Sequence, residues 1–94
     1  MGTYIMLGKY SESAIEGISA ERTAKCSALI QKFDGEIISM YAMLGKYDLL
    51  FIVQFPDTDQ AMKASVALSK ATHISFVTSP AVSVDAFDEM MADQ

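Results

Sequence analysis

Gly45-Lys46-Tyr47-Asp48-Leu49-Leu50-Phe51-Ile52-Val53-Gln54-Phe55 is the stretch on which the fold class turns. Gly45-Lys46 is a tight connection, and the β-formers from Asp48 to Phe55 read as the strand that follows it. Leu49, Phe51, Val53 and Phe55 lie on one side of that strand, whereas Leu50 and Ile52 lie on the other. A strand that is apolar on both sides needs cover on both sides. Glu36 to Leu44 reads as the strand before the connection, and Thr3 to Leu7, closed by Gly8, as the first strand of the chain. There too, Tyr4 and Met6 oppose Ile5 and Leu7. His73 to Thr78 alternates Ile74, Phe76 and Thr78 as a fourth strand, which Pro80 is expected to bend or interrupt.

Helical periodicity fills the intervals. Ser11 or Ser13 offers an N-cap oxygen to a helix reaching about Phe33, with Ile15, Ile18, Arg22, Cys26, Leu29 and Phe33 on one face. Gly17 and Ser19-Ala20 weaken it locally and allow a kink or two shorter helices. Asp34-Gly35 ends it, Gly35 being expected to take the left-handed conformation. In Pro56-Asp57-Thr58-Asp59-Gln60, Asp57 can cap a second long helix and Gln60 holds the capping-box position. Ala61, Ala64, Ser65 and Leu68 form its packing stripe. Asp85 is expected to cap a short C-terminal helix over about residues 85–92, with Phe87, Met90 and Met91 on its apolar side.

The resulting order, β-α-β-β-α-β, is the ferredoxin-like α+β arrangement with an antiparallel sheet, and 94 residues make it a single domain. Two helices cover only one face of such a sheet. The two-sided strands therefore predict a homodimer packed sheet to sheet, since an uncovered apolar sheet is an aggregation hazard. Met6-Leu7-Gly8-Lys9-Tyr10 recurs letter for letter as Met43-Leu44-Gly45-Lys46-Tyr47, with Tyr4 and Tyr41 upstream of the two copies. A right-handed crossover would make the two strands parallel and bring both copies to one end of the sheet. Such a repeat serves either as a shared strand exit or as a pair of Lys-Tyr groups at a pocket mouth.

Composition narrows the partners. A formal charge of −5, from 7 Lys+Arg against 12 Asp+Glu, disfavours nucleic acid and anionic membrane, because phosphate binding rests on Lys and Arg. The lone Cys26 excludes an intrachain disulfide framework and fits a reducing compartment. Met1 to Met6 lacks the pattern of a signal peptide, and the apolar runs fall far short of the ~20 residues of a membrane span. A soluble, cytoplasmic protein is expected.

Gly45-Lys46-Tyr47-Asp48 resembles the Gly-Tyr-Asp signature of the GYD domain family, with Lys46 between the first two letters. The resemblance continues through Thr3-Tyr4-Ile5, Leu7-Gly8-Lys9-Tyr10, Arg22, Gly35, Tyr41, Pro56-Asp57, Thr78 and Ala81. Ser79-Pro80 and His73 depart from the pattern. The resemblance implies a ferredoxin-like unit that pairs into a dimeric α/β barrel; it implies no reaction, because the family is essentially uncharacterised.

The candidate polar groups are few. Asp48 either orients a phenol or acts as a general base, or it serves as a turn residue accepting backbone N–H groups or pairing with Arg22 or Lys46. Arg22, on an otherwise apolar face, needs a partner if buried, and could bind a ligand carboxylate bidentately. His73 is the natural acid/base near neutral pH but falls at an exposed helix–strand junction. Cys26 reads as a buried, inert thiol. Catalytic candidates are thus Asp48, Tyr47 and His73, and ligand-binding candidates Tyr10, Lys46, Tyr47, Asp48, Arg22 and Tyr41. No metal or cofactor is expected. One His and one Cys cannot form a zinc site within a chain, and the Gly-Lys pairs do not sit in a phosphate loop. Asp85, Asp88, Glu89 and Asp93 are too spaced for a calcium loop. The 7 methionines, several on strands, suit either a dry dimer core or an interior that takes a flat apolar molecule. Three functions follow: a non-catalytic small-molecule-binding or regulatory module working as a homo-oligomer, a cofactor-independent isomerase or oxygenase acting on a small aromatic or carbonyl compound, or a structural assembly protein.

Overall fold

Alternation along the first strand sets the layers. Tyr4, Met6 and Gly8 are buried while Ile5 and Leu7 remain half-buried on the opposite side of β1 (Gly2–Tyr10). The computed structural model describes residues 1–93. After β1 come α1 (Glu12–Glu16), α2 (Ala20–Lys32), β2 (Glu36–Ala42), β3 (Leu49–Phe55), α3 (Thr58–Thr72), β4 (Ile74–Ala81) and α4 (Val84–Met91). The strands form one antiparallel sheet in the order β2-β3-β1-β4, so the chain has the ferredoxin-like α+β arrangement.

The core lies between the sheet and helices α2 and α3. Tyr4, Met6, Phe51, Val53 and Phe55 meet Cys26 and Ile30 of α2 and Ala61, Ala64 and Leu68 of α3. Tyr4 sets its ring edge-on to Phe55, 5.7 Å between centroids, and its hydroxyl reaches Thr58 at 2.9 Å. On the opposite face, register aligns Ile52 with Ile5, and Leu50 and Val77 with Leu7. Those residues are only half-buried or exposed, so both sides of the central strands are apolar and one is open in a single chain.

Several local expectations need correcting. The split of the first helix is not among them, because Gly17 and Ser19-Ala20 allowed two shorter helices: α1 ends at Gly17, and Ser19 caps α2 by accepting the Arg22 N–H. Ile15 and Ile18, at the break, are exposed, and Ile30 takes the core position instead. At the end of α2 it is Asp34, not Gly35, that has the left-handed backbone (φ 63°). The Asp34 and Gly35 N–H groups donate to Gln31 O and Ile30 O, the paired bonds of a Schellman cap. Gly35 is needed for space, because a Cβ there would lie 2.6 Å from Phe55 Cε1 and 2.9 Å from Ile30 O. Gly8 does not end β1 either; the strand continues to Tyr10, and a Cβ on Gly8 would press on Phe76, Ile74 and Leu49 at 3.0–3.2 Å.

Elsewhere β2 stops at Ala42, two residues short of the Leu44 expected, and carries a bulge between Ile37 and Ser39. Pro80 stays within β4 opposite Tyr4, which is tolerated because β4 is an edge strand. Asp57 caps α3 as expected, but Gln60 reaches Asp34 at 3.1 Å rather than closing a capping box. Ser83, not Asp85, caps α4. No described helix is long and apolar enough to cross a membrane.

Candidate functional site

Two copies of the repeated pentapeptide meet at one end of the sheet. Asp48 N–H donates to Gly8 O at 2.8 Å, and Met43 N–H donates to Asp48 O at 2.7 Å. The Asp48 carboxylate accepts the Tyr10 N–H at 2.8 Å and lies 3.8 Å from Lys9 Nζ. Asp48 thus fastens the β2–β3 connection to the last residues of β1. It accepts a backbone N–H, as one of its two readings anticipated, but its cationic neighbour is Lys9 rather than Arg22 or Lys46.

Fixing Tyr10 fixes a cleft. Tyr10, Arg22, Cys26, Met40, Leu49, Phe51 and Ile74 line a space of about 260 Å³ between the sheet and α2, with Ile18, Ser19, Thr23, Tyr41 and Ala42 around them. The Arg22 guanidinium stands 5.2 Å from the centroid of the Tyr10 ring, and its Nη1 donates to Ala14 O at the end of α1. This contact bridges the helix break: Arg22 comes from the first turn of α2, and the carbonyl it holds comes from α1. No carboxylate among the described residues is within ion-pair distance of Arg22. Ser19 and Thr23 hydroxyls are engaged by their own helix turn.

Cys26, one turn beyond Arg22, is buried, and burial pushes its thiol above the usual range against the opposing pull of Arg22 and Lys25. The cleft therefore presents a protonated sulfur and a guanidinium against a mostly apolar wall. Among the described residues, no cluster of His, Cys, Asp and Glu is suited to hold a metal ion.

Of the residues singled out in the sequence, Tyr10, Arg22 and Tyr41 border this cleft. Tyr41 is 58% exposed and pairs with Leu50, so its strand position belongs to the open face. Lys46, Tyr47 and Asp48 do not line the cleft; Lys46 is stacked on Tyr47 in the exposed connection, 5.7 Å from the ring centroid. His73 is an exposed left-handed cap (φ 60°) whose N–H closes α3 on Ser69 O. The three catalytic candidates are thus not gathered around the cleft. Met40, Leu49 and Ile74 were legible as strand residues but not as its wall. The helical spacing of Ile18, Arg22 and Cys26 and the strand alternation of Leu49 and Phe51 were the signals that placed lining residues together.

An antiparallel ferredoxin-like sheet with a one-sided helical layer and a polar-anchored cleft defines a small α+β domain. Residues 4–91 match the GYD domain, and the chain belongs to that family. No curated protein matches it significantly. In fold it is similar to the leucine response regulatory protein LrpA of Mycobacterium tuberculosis, with a TM-score of 0.58 at 7% identity. The match covers 87% of this chain and 51% of LrpA, so the chain spans about half the length of that protein.

Proposed function

We propose that this GYD domain is a small-molecule-binding or regulatory module that works as a homo-oligomer and takes a small apolar or aromatic ligand. The observation that carries the reading is the cleft between the sheet and α2. Its wall is largely apolar, Met40 offers an adaptable thioether, and Tyr10 and Arg22 supply a few convergent polar groups, the general make-up of ligand sites. At about 260 Å³ it falls just below the roughly 300–1,000 Å³ of drug-sized ligand sites, which suits a small ligand. Asp48 supports the site without lining it, by holding Tyr10 under the Arg22 guanidinium.

The homo-oligomer rests on the open sheet face. Ile5, Leu7, Leu50, Ile52 and Val77 form adjacent rows there, and a second copy presenting the same rows would cover them. A regulatory use is supported by the occurrence of the fold in a protein named for response regulation. A reducing, cytoplasmic setting suits the free, buried Cys26, and the acidic charge leaves nucleic acid and anionic membrane as poor partners.

Native mass spectrometry of the purified protein tests both halves. A dimer or larger ring that retains a reproducible small mass, lost in Arg22→Met, is the expected result. A clean monomer that binds none of a library of small aromatic compounds would overturn the reading.

A further inference from the structure

The lining of the cleft is electrostatically one-sided. Arg22 is its single cation, and no Asp or Glu borders it, in a chain that carries a net charge of −5. A guanidinium has five N–H donors in a planar fork. One arm is held by Ala14 O, which fixes the group instead of neutralising it, and the ring face of Tyr10 supports it from below. The remaining donors have no carboxylate partner among the described residues. The charge is also at the N-terminal end of α2, where the helix dipole favours an anion, and Ser19, the cap of that helix, borders the same space. Around this spot the wall is Cys26, Met40, Leu49, Phe51 and Ile74.

We infer that the cleft takes a small organic carboxylate, with its acid group bound by the free edge of Arg22 and an aromatic or alkyl body lying against Met40, Phe51 and Ile74. The inference rests on the binding role proposed above and names its ligand class. A single fork matches the geometry of a carboxylate, which it can engage bidentately. A phosphate ester carries more charge and more acceptor oxygens than one guanidinium satisfies, and the lining offers no second cation. A neutral hydrocarbon would leave the Arg22 donors without a partner in a space emptied of water, which is unfavourable for a charged group.

The test compares two isosteric probes, 3-phenylpropionate and 3-phenylpropionamide, by amide NMR titration of the intact protein. The acid is expected to shift the Tyr10, Thr23, Cys26 and Met40 amides and to bind about tenfold or more tighter than the amide, the effect of a hydrogen bond to a charged group. In Arg22→Met, which keeps the stem, the acid should lose that advantage while the amide binds as before. Arg22→Lys, which keeps the charge but not the fork, should fall between. If acid and amide bind equally at these residues, the carboxylate inference fails and the small-molecule module stands. If neither probe moves them at millimolar concentration, both fail. The comparison on the native protein needs no variant, so an Arg22 substitution that unfolds the chain does not protect the proposal.

Discussion

At the scale of single residues, two glycines show how space rather than backbone freedom fixes the sequence. Gly35 follows the left-handed Asp34, and any side chain there runs into Ile30 O, a backbone atom that cannot rotate away, as well as Phe55 and Ile30 side chains. Gly8 faces only side-chain atoms, at longer distances. Gly35→Ala should therefore cost about 1–3 kcal/mol, the range of overpacking, and more than Gly8→Ala. Urea denaturation of both variants checks the order, and a larger loss for Gly8→Ala would refute it. Cys26 gives a pH signature. Burial raises the thiol of the folded protein above its ordinary value of 9.0, so the folded chain keeps a proton that the unfolded chain releases. That contribution is complete below pH 9.0 and is lost as pH rises through the folded value. Stability should fall more steeply above that pH in the native protein than in Cys26→Ala, whose cavity lowers stability at all pH values alike. Parallel slopes in denaturation series across this range would show that the thiol does not contribute.

Elements differ in how fully their neighbours determine them. Four strands and the two long helical regions were legible because periodicity survives where one side of an element is buried. The Asp57 cap was legible because a short acidic side chain before a helical run has a local target, the Gln60 N–H at 2.8 Å. Boundaries were less so. Gly8 looked like a strand stop, yet Leu49 and Phe76 hold it in the sheet on both sides, and Pro80 is accommodated because no strand lies beyond β4. The cleft was half legible: Arg22 stood out as a charge on an apolar face, but its support comes from Ala14 and Tyr10, which only the helix break and the Asp48 clamp bring near. α4 stands apart from these. Phe87, Met90 and Met91 share a helix in which no residue is buried, so its stability in a single chain rests on local terms such as the Ser83 cap. Ser83→Ala should weaken α4 by about 1 kcal/mol and leave the unfolding midpoint of the domain unchanged. Faster hydrogen exchange confined to the α4 amides is the expected readout; a drop in the global midpoint would mean that α4 is covered in solution.

The molecule as a whole has one finished side and one unfinished side. The helical side has Met6, Val53 and Phe55 with no exposed surface, whereas Val77 on the other side is 48% exposed beside Leu7. Apolar surface left in water forgoes about 25 cal/mol per Å², and rows on two central strands and an edge strand make it contiguous. A second copy laid on this face gains that term for both copies at once, because the contact is isologous. Ile52, central on β3 between Ser39 and Ile5, separates an open face from a paired one. In a monomer Ile52→Glu would place a charge at a half-buried, water-accessible position and cost little. In a sheet-to-sheet dimer it would bury two unpaired carboxylates against apolar rows, which dismantles the contact. Sedimentation is expected to find the native protein as a dimer and Ile52→Glu as a folded monomer with native far-ultraviolet dichroism. The retained mass in the Arg22 cleft should survive this substitution, since the cleft lies on the helical side of the sheet. A native protein that sediments as a monomer, or an Ile52→Glu variant that still dimerises, would remove the open face from the assembly.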